Sequence, residues 1–406
     1  MTLPDFRKEA TALFDQMVAR RRDFHQHPEL GFQESRTSKI VADRLRELGL
    51  EVQTGLGQTG VVGMLDGPKD GPTVLLRFDM DALPVHEETD LPYRSQNDGV
   101  MHACGHDGHM TMGLTIAEIM ARYQSEMSGR LKFMFQPAEE GLGGALAMIA
   151  DGVLHDPKPD VALAMHLWTP EPFGSVRIVE GPCMASSSVF TITVQGKGGH
   201  GAAPHLSKDP IIAAAHIITA LQSIVSRNVN PQDSVVVSIG QISAGTTFNV
   251  IPDKAILKGT VRSYNNDMHR KVYRRILEMA QNMATSFHCV ATMETIAIVA
   301  AVDNHPEPTA VVRRAAEVTY GAENISDRRT MASEDMGYIL EEVPGCYFFI
   351  GAGHPEGETS FPHHHPRFNF DERAMIDGVA TMAQAVASYV LPNGYQNGKV
   401  NGNGRH

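Results

Sequence analysis

Three short apolar runs, residues 73–78, 131–135 and 161–165, are separated by stretches of helical periodicity over 110–123 and 144–151. Strands that alternate with helices build βαβ units and a largely parallel sheet covered on both faces, so the expected fold class is α/β. Upstream, residues 3–48 read as two helical stretches around a break at His27-Pro28, because proline lacks a donor and restricts the residue before it.

The pattern changes after about Pro182. Residues 189–194 alternate like a half-buried strand, and Asp209-Pro210 then opens a helix to about Arg227, with Asp as its cap and Pro in its first position. Strands over 235–239 and 255–261, a helix over 267–284 and a strand near 289–293 follow. That β-α-β-β-α-β order is the split βαβ, ferredoxin-like arrangement. The expected layout is therefore a main domain in two parts, 1–185 and 299–391, with an inserted domain at 186–298. The second part carries a helix over 310–320 and a strand over 346–350. The Asn- and Gly-rich tail, 392–406, is expected to be disordered.

Charge narrows the partners. With 35 basic and 47 acidic residues the net charge is −12, which disfavours nucleic acid and anionic membranes and leaves small molecules. No stretch reaches the roughly 18 uninterrupted apolar residues of a membrane helix. The first ten residues lack the basic-then-apolar order of a secretory leader, so a cytoplasmic location is expected. Four cysteines are too few for a disulfide framework in a chain of 406 residues, so a special cysteine should be a metal ligand or a nucleophile. Nineteen histidines point to metal chemistry.

The residues that carry chemistry sit just past predicted strand ends, where open α/β sheets place their ligand crevice. Asp79-Met80-Asp81 follows one run, Gln136-Pro137-Ala138-Glu139-Glu140 the next, and His166 the third. A fourth cluster is the turn from His102 to His109, in which Cys104 and His106 would point the same way along an extended segment. Singly, each has a plain reading: a core histidine, a solvated Glu pair, a buried cysteine. Converging on one crevice, a thiolate, imidazoles and carboxylates suit Zn²⁺ or its transition-metal neighbours, with Mn²⁺ admitted by the carboxylates. In His363-His364-His365 alternate side chains oppose one another in an extended segment, which leaves open which of the three is a ligand.

These phrases, with Arg22-Asp23-Phe24-His25-Gln26-His27-Pro28-Glu29-Leu30-Gly31, Gly198-Gly199-His200-Gly201, Thr247-Phe248-Asn249-Val250-Ile251-Pro252 and His364-His365-Pro366-Arg367-Phe368, run in one order from residue 22 to residue 372. The chain resembles the M20 metallopeptidases, and within them the N-acyl-amino-acid amidohydrolases that include hippurate hydrolases and plant auxin-conjugate hydrolases. The resemblance implies a mixed-sheet, di-metal peptidase domain with an inserted lid and dimerisation domain. It implies two divalent ions, Mn²⁺ or Zn²⁺ with Co²⁺ and Ni²⁺ as further candidates, held by Cys104, His106, Glu140, His166 and His364. Glu139 becomes the general base, since a ligating carboxylate is committed to a cation and its neighbour can take a proton from water. Asp81 becomes the residue that orients a ligand, while His102 and His109 read as supporting. His200 is assigned to oxyanion stabilisation across a homodimer or higher homo-oligomer, Asn249 to substrate contact and Arg262 to the substrate carboxylate. The apolar helix over 211–225 reads as domain core or dimer seam. The implied reaction is hydrolysis of N-acyl amino acids; the alternatives are a dipeptidase, a carboxypeptidase, or a metal-binding protein without turnover.

Overall fold

The computed structural model describes residues 3–354 and 360–392; the tail over 393–406 lies outside the described residues. The chain forms two compact units, one running from the N-terminus to Gly181 with Asn304–Arg328 and the segment from Tyr338 onward, the other comprising Pro182–Asp303 and Arg329–Gly337.

The first unit is built on an eight-stranded mixed sheet in the order Glu51–Leu56, Gly60–Asp66, Ser128–Gln136, Lys69–Asp79, Val161–Pro172, Gly345–Gly353, Val176–Arg177, Ile325–Ser326. Its centre is parallel: Lys69–Asp79 pairs in parallel with both Ser128–Gln136 and Val161–Pro172, and Gly345–Gly353 continues beside the latter. These strands read as continuous apolar runs because helices cover both faces. Leu76, Phe78, Phe133, Phe135, Leu163 and Ile350 are all at most 1% exposed. Helix His106–Arg122 lies against this sheet, and a Cβ at Gly113 would stand 2.6 Å from the Phe78 ring. Only glycine allows the helix to come that close.

Two features of this unit depart from the expected layout. Residues 3–48 form three helices, Phe6–Ala12, Phe14–Gln26 and Ser35–Glu47. The third starts where the Glu29 carboxylate accepts the N–H groups of Arg36 (3.0 Å) and Thr37 (2.8 Å), a cap supplied from outside the helix. The antiparallel strands Glu51–Leu56 and Gly60–Asp66 were not foreseen; the first is largely exposed and the second buried almost throughout, so neither shows clean alternation.

The second unit is a four-stranded antiparallel sheet, Val235–Ala244, Lys254–Ser263, Ser186–Gln195, Val290–Val299, packed against helices Pro210–Asn228 and Asn266–Ser286. The Asp209 carboxylate caps the first helix at Ile211 N (2.8 Å), and Asn265 caps the second at Met268 N (2.8 Å). Residues 329–337, expected in the main domain, pack here instead: Thr330 N donates to Cys183 O (3.1 Å) and Ala185 N to Ala332 O (3.0 Å). Helix Pro210–Asn228 reaches a mean hydropathy of 1.3, high enough by length and composition for a membrane span. One face is core, with Ala213, Ile217, Leu221 and Ile224 buried, while Ile211, Ile212 and Val225 on the other are exposed. Its apolar character thus serves the domain core and also leaves exposed apolar side chains on the outer face.

Candidate metal centre

The parallel register puts two strand ends side by side, with Asp79 opposite Gln136, against the interior of a third strand, where Arg77 is opposite Ala164. From these strands, and from the turn before helix His106–Arg122, the candidate ligands converge. Gly105, with φ 92°, lets the chain turn sharply into that helix, which presents His106 in its first position. Donor atoms of Cys104, His106 and His166 lie within 4.8 Å of one another, as do those of Cys104, Glu140 and His364, and of His106, Glu139 and Glu140. Cys104 Sγ is 3.5 Å from His166 Nε2, and His364 Nε2 is 3.3 Å from Glu140 Oε1.

Each ring is aimed by what its other nitrogen does. His106 Nδ1 donates to the Asp81 carbonyl (2.8 Å), so in the neutral ring that a metal ion would bind the Nε2 lone pair faces the cluster. Asp81 Oδ2 in turn accepts the Glu140 backbone N–H (3.0 Å), so one residue steadies two candidate ligands. His166 Nδ1 donates to Leu167 O (2.7 Å), again leaving Nε2 facing inward. The three consecutive histidines separate cleanly: His363 Nε2 donates to Leu167 O (2.9 Å) and its ring stacks on Trp168, while His365 Nδ1 accepts from Arg367 N (3.0 Å). His364, with φ 67°, is the one whose ring joins Cys104 and Glu140.

Three buried atoms of this cluster, Asp81 Oδ1, His106 Nε2 and Glu140 Oε1, have no well-aligned hydrogen-bond partner among the described residues, Glu140 Oε1 having only the His364 ring 3.3 Å away. Such orphans cost about 1–3 kcal/mol each unless something satisfies them. Burial works against the charged form of His106, but Asp79, Asp81 and Glu140 outweigh it and raise the imidazole to about 10. Burial, reinforced by Glu140, Glu139 and Asp79, pushes the Cys104 thiol well above its ordinary value. Surplus negative charge, inward lone pairs and a thiol that needs a cation to ionise are what a divalent ion would complete, so the donor set fits one.

Several supporting residues were not foreseen. Asp107, beside His106, is fully buried and accepts from Arg21 Nε (2.8 Å) and His25 Nδ1 (2.7 Å), which are buried too. Burial alone would raise Asp107, but Arg21 and His25 hold it far below the usual carboxylate range. Glu34 Oε1 accepts Ala138 N (3.0 Å), pinning the turn before Glu139, where Ala138 has φ 55°. The Arg22–Gly31 phrase was legible as a motif, but nothing local to it said that it buttresses the site. His102 is buried with neither ring nitrogen partnered, and desolvation lowers it to about 3, so it stays neutral.

The candidate residues of the second unit do not form one group. His200 pairs with Val250, and Asn249 O accepts Gly201 N (2.8 Å), so His200 and Asn249 share one loop cluster. Arg262 pairs with Ser187 at the opposite end of the sheet, where Lys254 pairs with Gln195 nearer the His200 loop. From Lys254 to Arg262 the strand rises by roughly 26 Å at ~3.3 Å per residue.

The profile of peptidase family M20/M25/M40 matches residues 75–388. The chain belongs to peptidase family M20. This M20 chain is 40% identical to a hippurate hydrolase of Campylobacter jejuni over 375 residues, covering 91% of this chain and 95% of the relative. It is also 40% identical to an N-acetyldiaminopimelate deacetylase of a Geobacillus strain over 366 residues, 89% of this chain and 95% of the relative. Among solved structures it is similar to a dinuclear metal-binding M20 peptidase of Bacillus subtilis, with a TM-score of 0.78 at 32% identity, covering 92% of this chain and 98% of that one. The chain is thus a metal-dependent amidohydrolase with the fold of the M20 dinuclear peptidases.

Proposed function

We propose that this M20 enzyme hydrolyses the amide bond of N-acyl amino acids, releasing a carboxylic acid and a free amino acid, with two divalent ions held by Cys104, His106, Glu140, His166 and His364. The observation that carries the reading is the pair of orphaned donors, His106 Nε2 and Glu140 Oε1, beside Cys104 and within reach of the Glu139 carboxylate. The hippurate hydrolase and the N-acetyldiaminopimelate deacetylase support the substrate class by their names. Bound there, the ions would supply Lewis acidity that polarises the scissile carbonyl and acidifies water. Mn²⁺ and Zn²⁺ suit this mixture of thiolate, imidazole and carboxylate, and Co²⁺ and Ni²⁺ are accommodated by the same donors.

The chain's own groups complete the reaction. Glu139 accepts a proton from the attacking water and returns it to the leaving amine nitrogen. His200 Nδ1 accepts from Ala202 N (3.0 Å), so in the neutral ring Nε2 carries the hydrogen and can donate to a developing oxyanion. Asn249 joins it at the substrate, and Arg262 offers two parallel N–H groups to the substrate carboxylate. His200 lies in a separate two-stranded loop cluster, whereas Arg262 lies near the Ser263 end of its strand, at the far end from Lys254, so the two are read as meeting one small substrate from different copies. A homodimer provides this, with the His200 loop supplied by a second copy. Phe248 (99% exposed), Leu206 and Val250 are large apolar side chains left uncovered around that loop, in keeping with such a partner.

The reading is tested by steady-state assay of Mn²⁺- and Zn²⁺-loaded protein on hippurate, N-acetyl amino acids and unblocked dipeptides. Turnover is expected on the acylated substrates; turnover confined to dipeptides would replace the reading with a dipeptidase, and none at all with a metal-binding protein. The ligand set has its own check. Cys104→Ser is expected to weaken metal binding at least tenfold by equilibrium dialysis, while Cys183→Ser, Cys289→Ser and Cys346→Ser leave it unchanged, because those three are buried away from the cluster. Undiminished affinity in Cys104→Ser would remove the cysteine from the ligand set.

A further inference from the structure

We propose that Asp79 and His109 are positioning residues that, by holding the backbone of Leu167, fix which ring nitrogen of His166 is offered to a metal ion. The inference rests on the reading of His166 as a ligand and extends it to residues that coordinate nothing.

The hydrogen bonds run from His166 through Leu167 and His109 to Asp79, which Arg77 holds from the other side, while Leu167 O also accepts from His363 Nε2. Arg77 Nη1 donates to Asp79 Oδ2 (2.7 Å) and Arg77 Nε to Gln136 Oε1 (2.8 Å), which locks the carboxylate in place. Asp79 Oδ1 lies 2.6 Å from His109 Nδ1, and a carboxylate only accepts, so the hydrogen is on Nδ1. His109 Nε2 is then a lone pair, and it accepts the Leu167 backbone N–H at 2.9 Å. At the other end of that residue, Leu167 O accepts His166 Nδ1–H at 2.7 Å. The His166 hydrogen is thereby placed on Nδ1 and its lone pair on Nε2, the atom 3.5 Å from Cys104 Sγ. Arg77, Asp79 and His109 are at most 1% exposed and His166 is 4% exposed, so water does not compete for any link.

Asp79, His106 and His109 also lie close enough to resemble a third ion site. His109 excludes that: its Nδ1 hydrogen is committed to Asp79 and its one free lone pair, on Nε2, to Leu167 N–H, so none is left for a cation. The same commitments explain the spacing in the His102–His109 turn, where His106 faces the cluster and His109, one helical turn on, faces the strand that carries His166.

The chain's single tryptophan supplies a readout independent of turnover. Trp168 lies 5.5 Å, ring centre to ring centre, from His166, so a paramagnetic ion held by His166 quenches its fluorescence. Metal-free protein is titrated with Co²⁺, and thermal unfolding is measured in parallel. Partners of metal-bound histidines are worth roughly 10–100-fold in metal affinity. His109→Phe and Asp79→Asn are accordingly expected to move the quenching midpoint to about tenfold or more higher Co²⁺. His109→Gln, whose side-chain oxygen can still accept the Leu167 N–H, is expected to restore part of that loss. A lower unfolding temperature with an unmoved quenching midpoint would reduce both residues to packing and overturn the proposal. Should His109→Phe not fold, Asp79→Asn and His109→Gln decide the matter by the same midpoint. Failure of the underlying reading looks different: the parent protein would then show no Co²⁺ quenching, or the same quenching in His166→Ala.

Discussion

Replacing Glu139 by Gln is expected to lower turnover by roughly 10²–10⁴ while leaving metal content unchanged, because the amide keeps the shape of the side chain and removes the base. Adjacent carboxylates at the end of one strand are held differently, which is why one substitution should separate chemistry from binding. Glu140 is tied by its backbone N–H to Asp81 and reaches His364 with Oε1. Glu139 follows Ala138, whose left-handed conformation and bond to Glu34 turn the chain so that the Glu139 carboxylate comes within 4.8 Å of His106 and Glu140. Metal analysis and steady-state kinetics on the same preparation check the expectation. Retention of more than about a hundredth of the parental rate would exceed what the loss of a general base leaves, and Glu139 would have to be reassigned.

How far the sequence reaches is clearest at the strand ends. The runs over 73–78, 131–135 and 161–165 fall inside observed strands, since apolar continuity marks a strand buried on both faces; Asp79, Asp81, Glu139 and Glu140 lie at or just past two carboxyl ends, whereas His166, expected just past the third, lies inside a strand that continues to Pro172. The alternation of the inserted unit was equally legible, down to the Asp209 cap. What escaped was set by partners far away in the chain. Asp79 stood in the motif beside Asp81, yet its task depends on His109, 30 residues on, and Arg21 meets Asp107 across 86 residues. No local period records such pairings. The triple histidine stayed open for a related reason: positive φ at His364 abolishes the strict alternation that an extended segment would have imposed. Residues 329–337 escaped because their anchors are backbone bonds to Cys183 and Ala185, which any sequence could make.

Mixing two inactive variants is expected to recreate activity if the inserted unit serves a second copy. His200→Ala should lose about 10²–10³ in turnover, as removal of one oxyanion donor does, and Glu139→Gln should lose its base. A two-fold pair presents the same patch of each subunit to the other and closes. In a hybrid dimer, the His200→Ala subunit keeps Glu139 and is completed by the partner subunit's His200, whereas the other site lacks both groups. With free exchange at equal concentrations, half the dimers are hybrids with one working site of two, so activity should climb toward about a quarter of the parental value under closed two-fold pairing. The exposed Phe248 and the outer face of helix Pro210–Asn228 are the surfaces from which such pairing would be built, and Arg262 stands roughly 26 Å along its strand from Lys254, the end nearer the His200 loop. If labelled subunits demonstrably exchange and no activity returns, His200 either serves its own chain or takes no part in the chemistry, and the oxyanion donor must be sought elsewhere.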